Sequence, residues 1–303
     1  MIKKSGSIQK YVDLHTHSTA SDGSMTPAEL VRYAHEKGLA AIALTDHDTV
    51  DGVEEALEEG ARTGTEVVAG VEISVSLSGW DYPGSDEESV EPEMHLLGFF
   101  FSGNYEPILK TLEELREKRE QRNPRIIRKL NEMGFDISME EVRAKAPGGI
   151  AGRPHIARVM MEKGYVSSIA ESFEKYLGVG RPAYFRKDKL TPEEGIAAIL
   201  NAGGIPVLAH PVLLGLKSGP LDQVLKKLKA AGLIGMEALY TENTPEHTRE
   251  FMELAAQNKL LVSGGSDFHG SFKPDIEIGI GRGNLRVPYE VLENLKNYDG
   301  SVR

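Results

Sequence analysis

The sequence contains no cysteine among its 303 residues, and this absence limits the chemistry of any site it forms. Neither a disulfide nor a thiolate metal site is possible. Any bound metal must therefore be held by histidine, aspartate or glutamate. Such ligands suit a borderline or hard ion such as zinc, manganese, iron or magnesium.

Positive charge is also scarce. The chain has 35 lysines and arginines against 46 aspartates and glutamates, which leaves a formal net charge of -11. Long nucleic acids and anionic membranes are bound by broad basic surfaces, so this balance argues against both as partners. A small, locally positive pocket for a single phosphate remains compatible with it.

Long hydrophobic runs are lacking as well. No stretch approaches the roughly 20 apolar residues of a membrane-spanning helix, and the lysines near the N-terminus are not followed by an apolar signal segment. At 40% hydrophobic and 27% charged residues the composition is that of a globular protein. We expect a cytoplasmic protein with one large domain, or one domain that carries an insertion.

Histidine is placed where it can bind metal. Residues 11–17 predict a short apolar strand that ends in His15 and His17. Side chains two positions apart leave a strand on the same face, so both imidazoles can converge on one ion. Asp22 follows in the next loop and can bring a carboxylate to the same place. A single His-x-His pair is weak evidence, and its weight comes from what recurs downstream.

Strand and helix signals alternate along much of the chain. Capping boxes with proline at the first helical position begin helices after Thr26 and Thr191. Apolar runs predict buried strands near 39–45, 66–75, 94–101, 205–210, 234–239 and 260–265. Repeated βα units indicate an α/β fold with a parallel sheet, and their regularity favours a barrel. In such barrels the chemistry lies at the carboxyl ends of the strands.

The alternation stops in the middle of the chain. Between about 106 and 186 the signals are helical, with separate segments at 107–122, 124–133 and 153–163 and a capping box at Ser138 and Glu141. We predict a discontinuous barrel formed by residues 1–105 and 187–303, and a helical insertion at 106–186 that forms a substrate- and phosphate-binding cap. The acidic segment 78–93 is predicted to be a solvated surface loop.

Polar residues recur at the predicted strand ends. Each has an ordinary structural explanation, such as a hydrogen-bonded rim histidine, a buried ion-pair partner or a helix cap. The candidate ligands are His15, His17, Asp22, His47, Glu72, His95, His210, Asp267 and His269. Zinc takes about four ligands, so this set fits two or three divalent ions that share a bridging carboxylate. His35 and His247 fall on helices and are expected to be structural.

The order of these motifs resembles the PHP family, named for polymerase and histidinol phosphatase. The residues that carry the resemblance are Asp13-Leu14-His15-x-His17, Asp22, Asp46-His47, Glu72, His95, Ala209-His210-Pro211 and Ser266-Asp267-x-His269. The resemblance implies a distorted (β/α)7 barrel with a trinuclear centre of Mn, Zn or Fe. It implies one ion held by His15, His17, Glu72 and Asp267, a second by Glu72, His95 and His210, and a third by Asp22, His47 and His269.

The insertion adds a second motif. Gly152-Arg153-Pro154-His155-Ile156-Ala157-Arg158 resembles the phosphate-binding element of PHP phosphoesterases that act on nucleotides and RNA ends. An arginine fork matches phosphate oxygens, and His155 can donate a proton or a hydrogen bond. Composition alone favours a structural alternative, in which Arg153 and Arg158 are ordinary charges on a helix surface and His155 packs against the barrel.

Together these patterns predict a metal-dependent phosphoesterase. It would hydrolyse phosphomonoesters of nucleotides, namely a nucleoside 3',5'-bisphosphate, AMP or a short RNA 5' end, through a hydroxide that bridges two ions. Histidinol phosphate and cyclic phosphodiesters are alternatives within the same family. A metal-dependent amidohydrolase or deaminase can also use a barrel with His-x-His, and a metal-stabilised regulatory or nucleotide-binding domain without activity is the non-enzymatic alternative.

Overall fold

The computed structural model describes residues 9–77, 80, 93–102, 104–145, 151–178, 180–185 and 189–300. The predicted acidic loop at 78–93 lies almost entirely outside these ranges. The chain forms two compact units, one that extends up to residue 110 and resumes at 190, and one that covers 111–189. No helix in the described ranges is long and apolar enough to cross a membrane.

The first unit is built on one sheet. Its strands are β1 (Tyr11–Thr16), β2 (Ala41–Leu44), β3 (Glu66–Ser76), β4 (Glu93–Phe100), β5 (Ile205–Leu208), β6 (Gly235–Tyr240), β7 (Leu261–Gly265) and β8 (Val287–Pro288). Their order across the sheet is β7-β6-β5-β4-β3-β2-β1-β8. The described residues of the central strands are almost all buried, which explains why they form continuous apolar runs in the sequence.

Strand direction differs from the all-parallel sheet that the repeated units predict. Strands β1, β2 and β3 are parallel, as are β5, β6 and β7, but β4 is antiparallel to both of its neighbours. The short β8 is antiparallel to β1. Parallel neighbours are usually connected by a crossover that contains a helix. Between β3 and β4 the sequence predicts a loop and no helix, which is compatible with an antiparallel pair. The amino end of β4 therefore lies at the edge where the parallel strands end.

The sheet closes into a barrel just beyond β1 and β7. The backbone N–H of His17 donates to the carbonyl of Phe268 at 3.0 Å, and that of Asp267 donates to the carbonyl of His15 at 2.9 Å. The predicted barrel is thus confirmed. Its closure needs a close backbone approach, because a Cβ on Gly265 would lie 2.4 Å from the Cβ of His15 and 2.5 Å from its backbone nitrogen.

Gly265→Ala is therefore expected to destabilise the protein. The added methyl must push β1 away from β7, and overpacking of this kind costs about 1–3 kcal/mol. Gly219→Ala, in an exposed helical position with nothing within 4 Å of the new Cβ, is the matched control and should be neutral or slightly stabilising. Urea denaturation of both variants measures the difference. Equal unfolding midpoints would show that the contact between β1 and β7 tolerates a side chain at position 265.

The helices are α1 (Pro27–Glu36), α2 (Val53–Thr63), α3 (Glu106–Glu132), α4 (Met139–Ala144), α5 (Arg153–Glu162), α6 (Ile169–Ser172), α7 (Pro192–Asn201), α8 (Ser218–Ala230), α9 (Pro245–Gln257) and α10 (Tyr289–Lys296). The capping boxes predicted at Thr26, Ser138 and Thr191 are present, each with reciprocal side-chain and backbone bonds. Short 3-10 helices at Pro211–Leu214 and Gly270–Phe272 follow β5 and β7.

The prediction of two helical segments separated near residue 123 is wrong. Helix α3 continues through Pro124, although proline lacks the N–H that would bond the carbonyl four residues earlier. Neighbouring side chains support the helix at this point, since Ile126, Ile127 and Leu130 belong to the core of the second unit. Packing of this apolar stripe offsets the lost hydrogen bond.

Candidate metal centre

All nine predicted ligands meet at one edge of the barrel. His15 and His17 lie at the end of β1, His47 follows β2, and Glu72 lies on β3. The others come from the start of β4 and from the segments after β1, β5 and β7. Donor atoms lie within 4.8 Å of one another in four groups: His17, Asp22, His47 and His269; His15, His17 and Asp267; His15, Glu72 and His210; and His47, Glu72 and His95.

Glu72 lies at the centre of this arrangement and is fully buried. Its Oε1 atom is 2.8 Å from Nδ1 of His95 and 2.9 Å from Nε2 of His210. Its Oε2 atom faces three other imidazole nitrogens at 3.1–3.3 Å, those of His15, His17 and His47. The two carboxylate oxygens thus serve different sets of imidazoles, which is the arrangement of a bridging ligand.

Five buried polar atoms of the cluster have no hydrogen-bond partner within the described chain. They are Nε2 of His15, Nδ1 and Nε2 of His17, Nδ1 of His47 and Oε2 of Glu72. A buried polar atom without a partner is costly, and a neutral imidazole has one N–H only, so these groups cannot all satisfy each other. Lone pairs of nitrogen and carboxylate oxygen are what a divalent cation accepts. The residues therefore fit bound metal ions.

Asp22 lies on the open side of the cluster, with a side chain that is 57% exposed. Its Oδ1 is 3.3 Å from Nε2 of His269, and its Oδ2 is 3.8 Å from Nε2 of His47. Nδ1 of His269 donates to the carbonyl of Asp267 at 2.8 Å, which directs Nε2 toward Asp22. The group that contains Asp22, His47 and His269 is thus the most accessible to solvent.

The carboxylates strongly influence the imidazoles. Burial opposes protonation of His17, but Asp267 and Glu72 prevail and raise the pKa of His17 to about 9. Burial and the neighbouring imidazoles instead lower the pKa of His47 to about 4. Burial would raise the pKa values of Glu72 and Asp267, yet the surrounding histidines hold both well below the usual range. Burial likewise opposes protonation of His15, but Glu237 and Glu72 raise its pKa, so without metal protons favour His15 and His17 over His47.

Glu237 also belongs to the site, and the sequence-based prediction missed it. It lies on β6 with no solvent exposure. Nδ1 of His15 donates to its Oε1 at 3.0 Å, and the backbone N–H of His210 donates to its Oε2 at 2.7 Å. An acid within an apolar strand is the same signal that singles out Glu72, so this residue could have been found.

Asp267 is held by two further groups that the sequence did not indicate. The Tyr240 hydroxyl donates to its Oδ2 at 3.0 Å, and Nζ of Lys273 does so at 2.8 Å. The other oxygen, Oδ1, lies 3.2 Å from Nε2 of His17. Oδ2 of Asp267 is thus fixed by Tyr240 and Lys273, while Oδ1 faces the imidazoles of the cluster.

Two aspartates next to the ligands stabilise backbone rather than imidazoles. Asp13 accepts from the backbone N–H groups of Ser266 and Gly279 at 2.9 and 2.7 Å. Asp46 accepts from the backbone N–H of Ser18 at 2.7 Å and from the hydroxyl of Ser21 at 2.6 Å. These contacts fix the loops that carry Asp267 and Asp22.

Backbone strain is concentrated at the same edge. Of the four described non-glycine residues with positive φ, three lie here: Asp48 at 52°, His210 at 26° and Asp267 at 58°. Such conformations cost on the order of 1–3 kcal/mol each and persist where surrounding contacts enforce them. The N–H of Asp48 donates to the carbonyl of Glu72 at 2.9 Å, and those of Asp267 and His210 are also bonded.

The two residues predicted in the insertion belong to the second unit. Arg153 begins α5 and donates to the carbonyl of Leu177 at 3.1 Å, with its guanidinium 5.3 Å from the ring centre of Tyr184. Nδ1 of His155 accepts from the backbone N–H of Gly152 at 3.1 Å, so the ring proton of the neutral form lies on Nε2.

The remaining candidates have structural roles. Arg158 is exposed and pairs with Glu162 at 3.3 Å on the surface of α5. His35 contacts the hydroxyl of Thr65 at 3.1 Å, and His247 caps α9 together with Thr244. None of these three belongs to a metal-binding group of the described residues.

Three curated relatives of the chain are named as enzymes that act on nucleotides or RNA. The 5'-3' exoribonuclease Rnm of Escherichia coli is 34% identical over 269 residues, which are 88% of this chain and 87% of that protein. A 5'-3' exoribonuclease of Haemophilus influenzae is 33% identical and covers 86% and 90% of the two chains. A 3',5'-nucleoside bisphosphate phosphatase of Chromobacterium violaceum is 30% identical and covers 88% and 90%.

Two solved structures share the fold across both units. A Bifidobacterium adolescentis protein assigned as a metal-dependent phosphoesterase has a TM-score of 0.69 and 29% identity, and covers 97% of this chain and 99% of that one. A Chromobacterium violaceum protein described as an amidohydrolase, with bound sulfate and no metal, has a TM-score of 0.68 and 30% identity, and covers 89% and 90%.

The family follows from these matches. The model of the PHP domain matches residues 13–201, which begin at the first predicted motif and include six of the nine candidate ligands. The exoribonucleases, the bisphosphate phosphatase and the Bifidobacterium protein are all phosphoesterases by name, so the predicted metal-dependent phosphoric ester hydrolase is confirmed. This chain belongs to the PHP domain family.

Proposed function

We propose that this protein releases phosphate from phosphomonoesters of nucleotides, with a nucleoside 3',5'-bisphosphate as the first candidate and AMP or a short 5'-phosphorylated RNA next. The observation that carries the proposal is the set of five imidazole nitrogens around the carboxylate of Glu72. Relatives named as a bisphosphate phosphatase and as exoribonucleases support a nucleotide substrate. The net charge of -11 favours small substrates, since long RNA needs many basic contacts.

The centre is proposed to hold two or three ions of Mn, Zn or Fe. His15, His17, Glu72 and Asp267 would hold one ion. Glu72, His95 and His210 would hold a second, so that Glu72 joins the two. Asp22, His47 and His269 would hold the third. Bound ions of this kind supply a hydroxide nucleophile near neutral pH and offset the charge of the phosphoryl oxygens.

The protein contributes orientation and charge. Glu72 and Asp267 keep their negative charge because their pKa values are held well below the usual range, so they remain ligands throughout the neutral pH range. Asp22 is exposed and leaves the proposed site of Asp22, His47 and His269 open on the side where solvent and substrate can reach it. Substrate is therefore expected to approach from the Asp22 side.

Arg153 and His155 are proposed to act on the substrate. The contacts of Arg153 with Leu177 and Tyr184 order its guanidinium and, among the residues that the structure describes, leave further N–H groups for a phosphate. His155 carries its proton on Nε2, because Nδ1 accepts from the helix cap. It can then donate a hydrogen bond or a proton to an oxygen of the leaving group.

Arg153→Ala is expected to raise KM for phosphorylated substrates about tenfold to a hundredfold, because a charged hydrogen bond contributes ~1.5–3 kcal/mol. Metal content should not change. Arg158→Ala is the matched control, on the same helix but paired with Glu162, and its KM should stay within about twofold of the wild type. Steady-state kinetics with elemental analysis decides; an unchanged KM in Arg153→Ala would remove this residue from the proposal.

The function is tested by phosphate release from a panel of compounds. The Mn-loaded protein is given adenosine 3',5'-bisphosphate, AMP, histidinol phosphate and a short 5'-phosphorylated RNA, with His17→Ala as the control. Turnover that needs metal and is lost in His17→Ala supports the proposal, and the relative rates identify the substrate class. Metal-bound protein that releases no phosphate from any of them would refute it.

Amide hydrolysis is the second candidate, because one structural relative is described as an amidohydrolase. That protein binds sulfate, however, a tetrahedral anion with the shape of phosphate. An N-acyl amino acid added to the same panel separates the two activities. Turnover of the amide alone would favour the second candidate.

A further inference from the structure

A buried acid outside the nine predicted ligands contacts two of them. Glu237 lies in the strand segment Gly235–Tyr240, which is otherwise mainly apolar, and its side chain has no solvent exposure. Both of its oxygens accept hydrogen bonds: Nδ1 of His15 lies 3.0 Å from Oε1 and 3.3 Å from Oε2, and the backbone N–H of His210 donates to Oε2 at 2.7 Å. A buried charge persists only with such partners.

The contact with His15 decides which ring nitrogen carries the proton. A carboxylate only accepts, so Nδ1 of His15 must be the N–H donor. In the neutral ring Nε2 then keeps its lone pair. That nitrogen lies 3.2 Å from Oε2 of Glu72 and has no hydrogen-bond partner within the described residues. Glu237 therefore holds His15 in the tautomer that can bind metal through Nε2.

The contact with His210 holds a strained backbone. His210 has a φ of 26°, which a residue with a Cβ rarely adopts. Its N–H is fixed by Glu237, while its side chain reaches Oε1 of Glu72 through Nε2 at 2.9 Å. Loss of the Glu237 contact would let this turn relax and move the imidazole away from Glu72.

We propose that Glu237 is a positioning residue that sets the tautomer of His15 and the backbone of His210 together. This rests on the proposed metal centre, because the effect reaches the reaction only through those two imidazoles. Since Glu237 contacts ligands from β1 and from the segment after β5, its loss weakens metal binding on both sides of Glu72.

Glu237→Gln tests the role with little change of shape. An amide has one acceptor and one donor, whereas the site presents two donors. The backbone N–H of His210 cannot be reversed, so the amide oxygen faces it and the amide NH2 faces Nδ1 of His15. His15 must then carry its proton on Nε2, where it blocks coordination. We expect Zn affinity to fall about 10- to 100-fold.

The control is Asp13→Asn, which alters another fully buried carboxylate at the same edge. Asp13 is bonded to Ser266, to Gly279 and to the backbone of His15, and to no imidazole ring. Its replacement should lower thermal stability without changing the His15 tautomer. Zn titration and 15N NMR of histidine-labelled, Zn-loaded protein give the two readouts.

Wild-type protein should show Nδ1–H at His15, and Glu237→Gln should show Nε2–H with weakened Zn binding. Wild-type Zn affinity in a folded Glu237→Gln variant would overturn the proposal. If that variant does not fold, Nε2–H at His15 in the wild type would overturn it equally. These readouts need no turnover, so an absence of phosphatase activity refutes the proposed function without affecting this result.

Discussion

Glu72→Gln is expected to reduce phosphate release about a thousandfold or more, which corresponds to ~4 kcal/mol of lost transition-state stabilisation. The variant keeps the size of the side chain but replaces one acceptor oxygen with an NH2 group. Three imidazoles face Oε2 and two face Oε1. In either orientation of the amide, its NH2 group therefore points at imidazole nitrogens whose lone pairs the ions need. Metal content should fall together with activity.

Glu66→Gln is the matched control for this experiment. Glu66 lies at the other end of β3, where it pairs with Lys296 and accepts from Tyr289. Its replacement should leave metal content and turnover near the wild-type values. A Glu72→Gln protein that binds metal and turns over at the rate of Glu66→Gln would show that Glu72 does not join the ions.

Chelation is expected to lower the melting temperature, and the loss should grow as pH rises from 6.5 to 9. His17, whose pKa is raised to about 9, stabilises the metal-free protein below pH 6.5, and this contribution is lost as pH rises through 9. The lowered pKa values of Glu72 and Asp267 contribute above about pH 4.5, so they do not change in this range. Metal binding strengthens over the same range because the ligands must lose protons.

At a metal concentration of about a thousand times Kd, binding adds ~4 kcal/mol, which corresponds to roughly 10 °C in a domain of this size. Thermal scans of Mn-loaded and chelated protein at pH 6.5, 7.5 and 8.5 measure the gap, which is the difference between the two melting temperatures. His17→Ala removes one of the two histidines whose pKa values are raised, so this variant should show a smaller difference in melting temperature and a weaker dependence on pH. A gap that stays constant or narrows toward pH 8.5 in the wild type would contradict this account of the site.

The convergence of the nine candidate ligands can be predicted from the sequence, because it follows from their positions in the barrel. Strands of an α/β barrel end at one edge, so a histidine or acid at each predicted end converges without knowledge of the exact helix bounds. His95 is the exception, since it lies near the start of its strand. It joins the others because β4 runs in the opposite direction, and the apolar pattern of 94–101 does not show strand direction.

Contacts between distant segments limit what the sequence can show. Glu237 meets His15 across 222 positions, and no local pattern connects the two. The tautomer of His155, in contrast, depends on a local contact in the first turn of α5, where the backbone N–H of Gly152 donates to Nδ1 of His155. Pro124 fails as a helix end because packing in the second unit outweighs the local preference.

The most direct test is a metal titration of chelated protein that follows phosphate release from adenosine 3',5'-bisphosphate. Nine candidate ligands that include a shared Glu72 predict that activity stays low after one equivalent of Mn and returns as the second and third are added. His17→Ala should not recover at any ratio. Full activity in the chelated protein, or full recovery at one equivalent, would contradict a multinuclear phosphoesterase centre.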